Sequence, residues 1–184
     1  MELEQRIERC LASQEIRERI HGGKIIVPHV DENRIQPSSF EPTIGDEVFV
    51  IDTKKGLFES LVSEQVYRTL LRELPLNRRR NHSIHNGYEL KVGSTYLLPL
   101  QERVFMEGLV SIVASPKSSI GRIFLKTRLI ADYNSYFDKI RFANNDLLQM
   151  WLVVQPLAFN TIVRPGMSLN QLRFLTGYGA QLTP

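Results

Sequence analysis

Between residues 115 and 122 the chain reads Ser-Pro-Lys-Ser-Ser-Ile-Gly-Arg. This places the hydroxyls of Ser118 and Ser119, the ammonium of Lys117 and the guanidinium of Arg122 within six residues. Hydroxyls and turn N–H groups can cradle phosphate oxygens while the two cations balance their charge. The same residues also make a plain exposed polar turn, so the stretch alone leaves both readings open. Other reactive side chains are sparse. His82 and His85 have ligand-like spacing but no third ligand nearby in the sequence. Cys10 reads as a small apolar contact on a helix rather than a nucleophile. Arg78, Arg79 and Arg80 read as a solvated loop or as a phosphate or partner contact. Trp151, between Met150 and Leu152, reads as core or interface packing.

Composition narrows the chemistry further. The 184 residues are 42% hydrophobic and 23% charged, which suits a folded domain of ordinary size. A single cysteine forbids an intrachain disulfide framework and agrees with a reducing compartment. The four histidines are His21, His29, His82 and His85, so no zinc cluster with paired Cys-x-x-Cys ligands can be built. No run approaches the roughly 20 apolar residues of a membrane span, and the charged N-terminus is unlike a signal peptide. A cytoplasmic protein without a membrane partner is expected. The net charge of +3 is too slight an excess to argue for nucleic acid. The last acidic residue is Asp146, and the 38 residues after it carry Arg164 and Arg173 but no carboxylate. A general base of that type therefore cannot come from the C-terminal segment.

The elements that must position these groups are mostly strands. Residues 2–21 have helical spacing of Leu3, Ile7, Leu11, Ile16 and Ile20, with Ser13 able to cap a second helical piece and Gly22-Gly23 as a stop. Strands are expected at 24–27 and 48–51, separated by a turn-rich stretch containing Pro37 and Pro42. Val62, Val66, Leu70 and Leu74 fall every fourth residue, with Leu57 and Leu61 beside them and Pro75 as the end, which predicts a second helix. Beyond residue 87, short β-prone runs are punctuated by Gly, Pro, Asn or Ser, a rhythm that suits an all-β barrel or roll. They lie at 96–100, 110–114, 123–130, 147–154, 161–163 and 169–174, and place Ser115–Arg122 in a strand–turn–strand context. The expected organisation is an N-terminal helical segment (1–22) and a β domain (23–184) with a helical insertion at 57–75.

The Ser115–Arg122 stretch resembles the phosphate-binding motif of the dCTP deaminase and dUTPase superfamily. The deaminases typically have Arg-Ser-Ser-x-x-Arg; here Lys117 replaces the first Arg, with Ser118, Ser119 and Arg122 in register. Ile35 to Gly45 is similar to the family's first motif, with Glu41 where an Asp is usual. Thr127 to Tyr133 resembles the segment whose backbone reads the pyrimidine. Arg164-Pro165-Gly166-Met167 through Asn170-Gln171-Leu172 resembles the final strand signature. Ile16 to Ile20 and Gly23 to Ile25 are similar to the opening helix and first strand. The resemblance covers about residues 14–176. It extends in particular to the N-terminal half of long, two-repeat bacterial 2'-deoxycytidine 5'-triphosphate deaminases.

The resemblance implies a mainly β fold, a β-clip or distorted jelly-roll, dUTPase-like barrel, usually a homotrimer with active sites between subunits. It implies hydrolysis of dCTP to dUTP and ammonia, with dCTP or dUTP as ligand, Mg²⁺ bound only with the triphosphate, and no zinc. Lys117, Ser118, Ser119 and Arg122 would hold phosphates, with Ser118 or Arg122 also holding the reacting water. Ala131 and Asp132 would contact the base through backbone, and Gln171 would close the site. One part is missing. The family's catalytic glutamate falls at Leu152 or Val153, and an aliphatic side chain can neither accept nor return a proton. Asp132 is the candidate substitute; it also has a plain reading as an Asp capping its own hairpin. A degenerate nucleotide-binding or assembly domain is the alternative, and a dUTP pyrophosphatase rests on Asp132 alone. Gly177 to Ala180 is too short and too poor in basic and aromatic residues for the arm that closes over dUTP.

Overall fold

The computed structural model describes residues 8–51, 81–131, 134, 136–141 and 147–177, without the side chains of residues 81 and 82. The predicted helix at 57–75, Arg78 to Arg80, Asp132 and residues 178–184 lie outside them. The strands are β1 (Glu8–Cys10), β2 (Ile25–Ile26), β3 (Ile35–Gln36), β4 (Ser39–Phe40), β5 (Glu47–Ile51), β6 (Asn81–Ser83) and β7 (Tyr88–Leu90). They continue with β8 (Thr95–Phe105), β9 (Ser111–Pro116), β10 (Leu125–Ala131), β11 (Lys139–Arg141), β12 (Leu147–Pro156), β13 (Thr161–Val163) and β14 (Asn170–Gly177). Among the described residues two α-helices, α1 (Ser13–His21) and α2 (Ser118–Arg122), and a 3₁₀ turn at Glu32–Arg34 accompany them.

One antiparallel six-stranded sheet runs β11–β9–β14–β4–β3, with β1 also paired to β14. The other runs β10–β12–β8–β5–β6, with β2 also paired to β8. A small ladder joins β7 to β13. Among the described residues the sheets are open, not a closed barrel, and one buried cluster lies between them. Ile112, Leu172 and Phe174 of the first sheet meet Leu98, Leu129, Leu148 and Leu152 of the second there. This two-layer arrangement follows from period-two alternation, which gives each strand an apolar face to bury.

The N-terminal segment is helical only in its second piece, not over the whole of 2–21. Glu8–Cys10 is a strand because its backbone pairs with Leu175–Gly177 of β14, and the helix begins at Ser13. Ala12, not Ser13, occupies the cap position; its N–H donates to the Glu15 carboxylate at 2.9 Å, and Arg9 grips the same carboxylate. Ile16 and Ile20 then enter the common core, so this segment packs with the β domain. The helix stops as expected: Gly22 and Gly23 donate to Glu18 and Ile20 at 2.8 and 3.1 Å.

Pro99 stands inside β8, a central strand, where it cannot donate to the ladder. The pairing with β12 is irregular between Gln149 and Trp151, opposite this proline. The Gln149 amide fills the gap by donating to the Leu100 and Met150 carbonyls at 2.8 and 3.0 Å. A bulge next to proline keeps a long strand continuous without orphaning its carbonyls.

Candidate functional site

The polar stretch at 117–122 forms one helical turn, in place of the simple turn between strands that its sequence suggested. Lys117 is extended, and its carbonyl accepts from Ile120 and Gly121 at 2.9 and 3.0 Å, which closes α2. Its own N–H donates to Leu169 at 3.1 Å and ties the turn to the lead-in of β14. Ser118, Ser119 and Arg122 are all exposed. The first N–H groups of a helical turn have no carbonyl of a preceding turn to meet, so they join the two hydroxyls as donors on an open surface. Lys117 is less free: its ammonium forms an ion pair with Glu41, both side chains being partly buried. The chain leaves the turn through Phe124, whose φ of 54° is unusual for an aromatic residue. The Phe124 ring is exposed and lies 6.5 Å from that of Phe159.

Gln171 belongs to the same end of the molecule. It pairs with Ser115 across β14 and β9, and its side-chain amide donates to the Ser115 hydroxyl at 3.1 Å. Its neighbour Asn170 is wholly buried and accepts from the Thr127 hydroxyl. Ala131 is elsewhere. It is buried and ends β10, the strand that starts three residues after α2. At about 3.3 Å per residue, the two ends of that strand lie on the order of 20 Å apart. Within one chain, therefore, Lys117, Ser118, Ser119 and Arg122 lie on one turn, Gln171 is bonded to the strand that leads into it, and Ala131 lies at the far end of β10.

The position expected for a glutamate is dry. Leu152 is 0% exposed, between Leu129 and Leu98 on its two neighbouring strands. Val153, 5% exposed, faces the opposite side in a second cluster with Ile51, Leu97, Ile130 and Trp151. Neither side chain shares a surface with α2.

A carboxylate that sequence reading overlooked lies behind the turn. Glu102 is 0% exposed and sits in the core-facing phase of β8, in line with Leu98, Leu100 and Val104. It pairs with Arg34 and accepts from the Thr43 N–H and hydroxyl, each at 2.8 Å. Arg34 also donates to the carbonyls of His29 at 2.7 Å and Glu41 at 3.4 Å. The available signal was an acidic residue interrupting an otherwise apolar alternation. Asp138 was likewise overlooked: at a φ of 59° it accepts from the Leu129 N–H at 2.7 Å and pairs with Arg128.

Among the described residues no group of three or more His, Cys, Asp or Glu side chains is placed to share an ion. His85 lies 3.6 Å from Asp46. No described helix is long and apolar enough to cross a membrane.

The open pair of antiparallel sheets, entered by a short helix and carrying a hydroxyl-rich turn before β10, defines a dUTPase-like fold. The family model of the 2'-deoxycytidine 5'-triphosphate deaminase N-terminal domain matches residues 8–178, and the chain belongs to that family. A dCTP deaminase of Rhodopirellula baltica is 30% identical over 115 residues, 62% of this chain and 50% of that protein. The crystal structure of a 2'-deoxycytidine 5'-triphosphate deaminase from Agrobacterium tumefaciens superimposes with a TM-score of 0.78 at 28% identity. That match covers 94% of this chain and 49% of the other, so the chain spans about half the length of the relatives it matches.

Proposed function

We propose that this chain binds a pyrimidine deoxynucleoside triphosphate and serves the hydrolytic deamination of dCTP to dUTP and ammonia. The observation that carries the reading is α2, where exposed Ser118, Ser119 and Arg122 combine hydroxyl, N–H and guanidinium donors on one turn. Such a surface suits the oxygens of a triphosphate, with Mg²⁺ bound to the nucleotide neutralising part of its charge. Gln171 and Lys117 flank this turn, and the segment at Ala131 and Asp132 would read the base. Those two halves belong to opposite ends of β10, which favours a site shared between subunits of a homotrimer. Deamination adds water to the cytosine ring and releases the exocyclic amine, so a group must take one proton and return another. Asp132 is the residue of this chain proposed for that task, with Ser118 or Arg122 holding the water.

A second reading is binding without turnover, in a domain kept for assembly or nucleotide sensing. The aliphatic, buried Leu152 and Val153 favour it. Purified protein incubated with dCTP or dUTP and Mg²⁺, with ammonia and pyrophosphate followed separately, distinguishes the two. Ammonia from dCTP supports deamination; binding with neither product leaves the sensor, and absence of binding removes both. Arg122→Ala should abolish nucleotide binding, and unchanged affinity would show that α2 is not the phosphate site.

A further inference from the structure

The phosphate-facing side of α2 carries no built-in rigidity, since the helix is a single turn and its polar residues are exposed. Yet a set of ionic contacts reaches it from the core. Glu102 is fixed by burial and by Arg34 and Thr43. Arg34 holds Glu41 by backbone on both sides, donating to its carbonyl and accepting from its N–H at 2.9 Å. The carboxylate of Glu41 then pairs with Lys117, whose carbonyl closes α2. Both partners of that outer pair are partly buried, so the interaction is less screened than a surface ion pair.

We infer that Glu41 and Lys117 are positioning residues for the phosphate-binding turn, and that Lys117 is not itself a phosphate ligand. This rests on the proposed triphosphate site at α2. Charge favours the assignment: an ammonium already neutralised by a carboxylate has little left to offer a phosphate, whereas Arg122 has no acidic side chain among its described ion pairs. Glu41 and Lys117 are also the two positions where these motifs depart from the pattern they resemble.

The inference is tested by amide hydrogen exchange at Ile120 and Gly121, with dCTP affinity measured in parallel by calorimetry in Mg²⁺. Glu41→Gln and Lys117→Met should each speed exchange of those two amides at least several-fold and weaken dCTP binding by about 10- to 100-fold. The double substitution should cost no more than either single one. The swapped pair Glu41→Asp with Lys117→Arg should restore both readouts. If Lys117→Met loses affinity while Glu41→Gln retains it with unchanged exchange, Lys117 is a direct ligand and the inference fails. Exchange that responds as expected in a protein without measurable dCTP affinity would retain the linkage and remove the functional reading instead.

Discussion

A carboxylate at position 102 occupies a phase of β8 that Leu98, Leu100 and Val104 fill with hydrocarbon. It is tolerated because Arg34 and two donors of Thr43 replace the water it has lost. Removing one partner leaves the other charge stranded, so Glu102→Ala should cost about 3–5 kcal/mol in urea unfolding. Replacing both, as Glu102→Leu with Arg34→Met, should cost far less, since no charge is then buried alone. A double variant as unstable as the single one would show that the site depends on shape, not on compensated charge. The same arithmetic explains why Cys10 is quiet. Burial pushes its thiol up, and its Sγ donates to the Ser38 carbonyl at 3.1 Å.

Two elements show how local chemistry and tertiary pairing divide the work. At the start of α1, hydrogen bonding and charge from Arg9 hold the Glu15 carboxyl below the usual carboxylate range. A depressed folded value means that the stabilisation is complete above the ordinary Glu value of about 4.3 and is lost as pH falls through the folded value. The stability gap between wild type and Glu15→Gln should therefore shrink on acidification. An equal gap at neutral pH and at about pH 3 would contradict this. In β12 the alternation has two buried faces, Leu148, Met150, Leu152 and Val154 toward one cluster and Trp151 and Val153 toward the other. Leu152→Glu should accordingly lose more than about 3 kcal/mol instead of creating an enzyme, because the new carboxylate would have no partner. Leu152→Met should cost under about 1.5 kcal/mol. A stable, active Leu152→Glu protein would mean that this strand can turn its face to a ligand.

For the whole molecule, the decisive geometry is the length of β10. It puts the α2 turn near one end of a strand on the order of 20 Å long and Ala131 at the other. The proposed shared site makes a complementation prediction. Arg122→Ala should fail to bind dCTP and Asp132→Ala should fail to release ammonia from it, while subunits mixed by unfolding and refolding together should recover about one quarter of the deaminating sites. Ammonia release measures this, and no recovery from demonstrably mixed oligomers would place both halves of the site in one subunit.

The strands β8, β9, β10, β12, β13 and β14 were legible because short β-prone runs between Gly, Pro and Asn have few other ways to fold, whereas the three-residue β7 and β11 are too short to show an alternation. Ser118, Ser119 and Arg122 were legible because their spacing is local, and one helical turn keeps them on a common surface. Glu8–Cys10 was misread as helix because helical spacing is a local signal, whereas pairing with β14 depends on a strand more than 160 residues away. For the same reason the links from Glu102 through Arg34 and Glu41 to Lys117 were invisible, since three separate stretches of chain must meet to form them. The sequence by itself determined that hydroxyls and cations cluster at 117–122 and that no acid stands on β12. Tertiary structure decided that Lys117 is committed to Glu41, that Leu152 is sealed in the core, and that β10 holds the two ends of the proposed site apart.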